Sequence, residues 1–161
     1  MSEKLSKHTI TLIVENHFGV LSRVAGLISA RAFNIDSLTV STTEDPTVSC
    51  MTIVVDADVV KLEQVKAQLS RLIDIIAVHE LKPGEFIDRE LLLAHVKANG
   101  KTKAELEMLT KRYGAKLAHV TDESVVVQLA GDTKTLDKLV EELRTHGISK
   151  LVRTGPVALE K

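Results

Sequence analysis

Aromatic residues are scarce in this chain. Of 161 residues none is Trp, one is Tyr and three are Phe. Proteins that bind single-stranded nucleic acid stack bases on such rings, so this composition argues against that class. Charge of one sign is lacking too. The formal net charge of -1 provides no basic footprint for a phosphate backbone. A single cysteine, Cys50, rules out an internal disulfide. No apolar run reaches the roughly 18 residues of a membrane-spanning helix. The opening residues MSEKLSKHTI hold no apolar stretch of signal-peptide length. These features together lead us to expect a cytoplasmic protein.

Catalytic constellations are equally sparse. The histidines (His8, His17, His79, His95, His119 and His146) are scattered, and no pair has the i, i+4 spacing of a helical metal site. Asp56 and Asp58 are close in sequence, but they lie at a strand-to-helix junction where capping accounts for Asp58. There is no P-loop and no GxSxG nucleophile motif, and Cys50 has no evident base partner. We therefore expect no catalysis by this chain, and no metal or cofactor of its own.

What the chain does have is aliphatic content. Hydrophobic residues make up 44%, enough for a packed core of Val, Leu, Ile and Ala rather than a disordered chain. Residues 9–14 alternate and are β-branched, as in a strand. A helical stripe of Val20, Val24, Leu27 and Ile28 follows within 19–32. Strands are expected at 35–41 and 48–55 around the turn Thr43-Glu44-Asp45-Pro46. Asp58 reads as the cap of a helix reaching Leu72, and residues 75–81 as a strand.

The cluster Lys82-Pro83-Gly84-Glu85 then breaks the pattern, and the same order recurs. Residues 89–97 read as a strand and 101–113 as a helix stopped by Gly114. Strands 115–121 and 124–130 flank a tight Asp122-Glu123 hairpin. Residues 133–145 read as a helix ended by Gly147, and 148–153 as a strand, with 157–159 as a candidate extension at the edge. Each half is thus strand–helix–strand–strand–helix–strand, the ferredoxin-like order. The expected fold class is α+β, two ferredoxin-like βαββαβ domains, with residues 1–82 as the first and 83–161 as the second. A small sheet with both helices on one face leaves the other face or an edge open, so we expect at least a homodimer. Arg153, near the end of the chain, is a candidate for pairing with a partner subunit.

One stretch stands out, Glu15-Asn16-His17-Phe18-Gly19-Val20-Leu21. A strand ends there, the chain turns at Gly19, and a helix begins. A helix start leaves backbone N–H groups unpaired and, with the dipole, favours an anion. Gly19 leaves room for close approach, and Val20 and Leu21 offer apolar contact. The turn therefore suits a small molecule with a carboxylate and an aliphatic tail. It equally suits an ordinary tight turn before a helix. Asn34, before Ile35, has the same ambiguity. It can end a helix, or its amide can meet an ammonium or a carboxylate. In one ferredoxin-like domain this junction lies at the opposite end from the Gly19 turn, so the two could share a ligand only across a pair of domains.

The stretch from Glu15 to Val24, followed by Phe33-Asn34-Ile35-Asp36-Ser37-Leu38-Thr39-Val40, resembles the amino-acid-binding ACT domain. More narrowly, it resembles the small regulatory subunit of acetolactate synthase (acetohydroxyacid synthase). Met51-Thr52-Ile53-Val54-Val55, Asp88-Arg89-Glu90-Leu91, Gln128-Leu129-Ala130-Gly131 and Arg153-Thr154-Gly155 extend the resemblance along the whole chain. Cys50 departs from it, because many members carry arginine there.

The resemblance implies a subunit without catalysis of its own. It would bind and activate a large catalytic subunit that carries thiamine diphosphate, Mg and FAD. It would also confer feedback inhibition by valine in branched-chain amino acid biosynthesis. The effector would sit between the first domains of a dimer, which would thus serve effector binding and dimerisation. The implied contacts are Asn16, Gly19, Val20 and Leu21 from one chain and Asn34 and Ile35 from the other. The alternative is a stand-alone ACT-type sensing or interaction module acting on another target.

Overall fold

The computed structural model describes residues 6–31 and 33–161. Its elements run β1 (Ser6–Glu15), α1 (Val20–Ser29), β2 (Ile35–Thr42), β3 (Val48–Ala57), α2 (Val59–Leu69) and β4 (Ile75–Leu81). They continue β5 (Phe86–Lys97), α3 (Gly100–Tyr113), β6 (Lys116–Val120), β7 (Ser124–Gly131), α4 (Thr133–Arg144), β8 (Ile148–Arg153) and β9 (Val157–Glu160). The βαββαβ order occurs twice, as the periodicity predicts. The chain divides into two compact units, residues 1–86 with 158–161, and residues 87–157.

In the first unit the four strands lie in the order β2-β3-β1-β4, all antiparallel. Alternation sets the core. Ile10, Leu12 and Val14 of β1 and Met51, Ile53 and Val55 of β3 point the same way, because successive strand side chains face opposite sides. Val20, Val24 and Ile28 of α1 and Leu62, Val65 and Leu69 of α2 complete that cluster. Each of these helices thus buries residues at the three- and four-residue spacings of one helical face.

Asp58 caps α2 by accepting from the Lys61 amide at 2.8 Å. The backbone and side-chain bonds from Lys61 hold its carboxyl below the usual range, against burial. The first helix is shorter than the sequence pattern suggests. It ends at Ser29 with Ala30 as its C-cap, and Ala32, the expected end, lies outside the described residues.

In the second unit the order is β6-β7-β5-β8. Leu92, Ala94 and Val96 pack with Val125, Val127 and Leu129 under Leu106, Leu136, Leu139 and Leu143. Asn99 and Asp132 cap α3 and α4. Gly114 ends α3 at φ 66, a left-handed conformation that costs glycine little.

From sequence, Arg153 is a candidate for pairing with a partner subunit. Its guanidinium is engaged within its own unit, on Glu90 and Asp137. The strand register brings Leu92 opposite Arg153, which places Glu90 of β5 within reach. No helix among the described residues is long and apolar enough to cross a membrane.

Candidate functional site

The turn between β1 and α1 is built by three neighbours. Asn16 fixes it to the β2–β3 turn. Its amide N–H donates to the Thr47 carbonyl at 2.7 Å, and its side-chain Nδ2 donates to the Pro46 carbonyl at 2.8 Å. That second turn is itself stiffened by Asp45, which accepts from Thr47 through both Nα–H (2.8 Å) and Oγ1–H (2.6 Å). The Asn16 Oδ1 therefore stays available to a donor. The Glu15 amide donates to the Asp74 carbonyl at 2.9 Å, tying in the α2–β4 connection.

Gly19 is the N-cap of α1 and sits at φ 90, where a side chain is strained. No side chain caps the helix. Among the described residues no acceptor meets the amides of Gly19, Val20 or Leu21. Val20 is buried in the core, while Leu21 is half exposed. A β-carbon placed on Gly19 would meet only Arg23 Nη2, at 3.8 Å. The arrangement therefore offers unpaired N–H donors, an apolar wall and open space, which is what a small carboxylate with an aliphatic tail requires.

Asn34 and Ile35 lie elsewhere. Asn34 Nδ2 donates to Asp36 Oδ1 at 3.1 Å. Ile35 pairs with Val55, and Val55 with His8, whereas Glu15 pairs with Val48. The start of β2 is thus seven β1 residues from the Gly19 turn, about 23 Å at strand rise. One copy of the unit does not bring the six residues together.

A cluster that the sequence reading did not single out braces the turn. His17 Nε2 lies 3.0 Å from Asp74 Oδ1 and 3.3 Å from Glu15 Oε2. Arg23 Nε lies 3.1 Å from the other Asp74 oxygen. Asp74 is buried, and the other three are substantially exposed. Glu15, His17 and Asp74 bring one ligand atom each within 4.8 Å, and Arg23 already pairs with Asp74, one of the three. The Phe18 carbonyl, then Asp74 and Glu15, raise the His17 pKa above its ordinary value, against desolvation. The signals available in sequence were a charged Arg23 on an otherwise apolar helix start and Asp74 immediately before β4.

The first unit, a ferredoxin-like fold whose first helix opens uncapped at Gly19, is a regulatory domain of the ACT class. Residues 10–77 match the model of the acetohydroxyacid synthase small subunit-like ACT domain, and residues 89–161 that of the small subunit of acetolactate synthase. The chain is 43% identical to the probable acetolactate synthase small subunit of Archaeoglobus fulgidus, over 95% of this chain and 96% of that one. It is 38% identical to the acetolactate synthase small subunit of Haemophilus influenzae, over 96% of each. The crystal structure of the acetolactate synthase small subunit from Thermotoga maritima superimposes with a TM-score of 0.88 at 28% identity, covering 97% of this chain and 98% of that one. The chain belongs to the acetolactate synthase small-subunit family. It is a regulatory subunit of that family.

Proposed function

We propose that this chain binds and activates the thiamine-diphosphate-dependent catalytic subunit of acetolactate synthase and confers feedback inhibition by valine. The partner would carry the thiamine diphosphate, Mg and FAD, and the complex would serve branched-chain amino acid biosynthesis in the cytoplasm. The observation that carries the effector half of this reading is the uncapped start of α1, with donors at Gly19, Val20 and Leu21 lacking acceptors among the described residues.

The effector's carboxylate meets these amides, and its isopropyl group lies against Val20 and Leu21. The ammonium requires an oxygen acceptor, which Asn16 Oδ1 supplies because Nδ2 is committed to Pro46. Asn34 and Ile35 come from a second copy, since strand register keeps them away from the turn of their own chain. The first domain, residues 1–82, accordingly serves effector binding and dimerisation, while residues 83–161 form the second domain. Inhibition is linkage, because valine favours whichever holoenzyme arrangement binds it better.

Reconstitution tests the reading. The purified chain is added to an acetolactate synthase catalytic subunit, and activity is followed while valine, leucine and isoleucine are titrated in parallel. Stimulation of activity and its suppression by valine are expected. A chain that neither binds nor stimulates the catalytic subunit overturns the proposal.

A further inference from the structure

The three groups nearest the His17 ring nitrogens, a carbonyl and two carboxylates, present acceptor oxygens. Nδ1 lies 3.2 Å from the Phe18 carbonyl oxygen. Nε2 lies 3.0 Å from Asp74 Oδ1 and 3.3 Å from Glu15 Oε2. A neutral imidazole has one N–H and one lone pair, whereas the imidazolium has two N–H groups. Only the imidazolium satisfies both sides of this ring. In the neutral form a lone pair would face either the carbonyl or the carboxylates.

The charged groups facing the ring are Glu15 from β1, Asp74 from the α2–β4 connection and, across Asp74, Arg23 from α1. Two negative and two positive charges balance when His17 is protonated. The contact to Phe18 reaches the effector turn directly. A trans peptide is planar, so holding the Phe18 oxygen also sets the direction of the Gly19 N–H. That N–H opens the uncapped end of α1.

We propose that His17 is a positioning residue for the effector turn, held as an imidazolium, and that its deprotonation frees the Phe18–Gly19 peptide and weakens effector binding as pH rises. This rests on the valine reading above. The sign follows from the geometry. Contacts to Phe18, Asp74 and Glu15 favour the charged ring and raise its pKa above the ordinary 6.5. The brace is therefore complete below 6.5 and is lost as pH rises through the raised value.

Two measurements on the full chain, in buffer containing EDTA so that a proton rather than a metal is read, test it. Proton–nitrogen NMR spectra are recorded between about pH 5.5 and 9 for the wild type and His17→Gln. In the wild type the Gly19 amide shift should follow the same midpoint as the His17 ring. In His17→Gln that inflection should vanish, and Asp74→Asn should lower the His17 midpoint.

Calorimetric valine titrations at the two ends of the range should show wild-type affinity falling about three- to tenfold with rising pH. That is the linkage expected when binding raises the His17 pKa by roughly half to one unit. His17→Gln should bind with a flat profile near the wild-type high-pH affinity. A Gly19 amide that ignores the His17 midpoint overturns the proposal, as does a His17→Gln chain that keeps the wild-type pH profile. Wild-type chain that binds none of valine, leucine or isoleucine overturns the effector reading instead, and is recognised because Gly19 still follows His17.

Discussion

Arg153 grips Glu90 at two points, with Nε donating to Oε1 at 2.8 Å and Nη2 to Oε2 at 2.7 Å. The Gly155 amide adds a donor to the same carboxylate at 3.2 Å, and Glu90 is buried. Removing the guanidinium would strand a buried charge. Arg153→Ala should therefore destabilise the second unit by about 3 kcal/mol, read as a lower urea midpoint. Arg153→Lys should recover only part of this, because an ammonium cannot reproduce the planar fork.

Gly19→Asp should abolish valine inhibition while leaving association with the catalytic subunit intact. A carboxylate at that position occupies the space before the free amides and repels the effector's own carboxylate. The positive φ adds strain of about 1 kcal/mol. Valine titration of the reconstituted activity checks this, and inhibition equal to wild type would sink the assigned site.

Asn16→Ala removes the bond to the Pro46 carbonyl along with the proposed ammonium acceptor. Losing an acceptor for a charged group costs roughly 1.5 kcal/mol, so the valine concentration for half-inhibition should rise about tenfold. Asn16→Asp separates the two roles. It keeps an acceptor for the ammonium but cannot donate to Pro46, so its sensitivity should fall between wild type and Asn16→Ala.

Asp132 caps α4 by accepting from Thr135 through Oγ1–H at 2.7 Å and Nα–H at 2.9 Å. These bonds, the side-chain one foremost, hold its carboxyl below the usual carboxylate range. A depressed folded-state value means the stabilisation is present above the unfolded pKa and is lost as pH falls through the folded one. Asp132→Asn retains a capping oxygen without the titration. Its melting temperature should therefore fall less than that of the wild type between about pH 5 and pH 2.5, a span that brackets the ordinary Asp pKa, as followed by circular dichroism.

Much of the fold was legible because its causes are local. The stripe Val20, Val24, Ile28 on α1 and the alternation Ile10, Leu12, Val14 on β1 are properties of neighbouring residues. So are the cap at Asp58 and the stop at Gly114. The turn at Gly19 was visible too, since a glycine between a strand and a helix start marks both a backbone need and an open N-terminus. Where α1 ends was less legible. Arg31 continues helical spacing after Ile28, but the helix closes at Ser29, because a helix end depends on the packing beyond it as well as on its own residues.

The sequence by itself determined the repeated βαββαβ order, the two cores, the Asp58 cap and the family to which the chain belongs, because periodicity and short motifs are written between near neighbours. Tertiary structure alone decided that Asp74 meets His17 and Arg23, and that Asn16 ties its turn to Pro46. Those relationships depend on how β1 registers with β3 and β4. A shift in that register between Ile13 and Val14 sets Val14 opposite Ile75, and the Glu15 amide then meets the Asp74 carbonyl. Pairing between segments far apart in the chain is a property of the packed sheet, and no local pattern of residues encodes it.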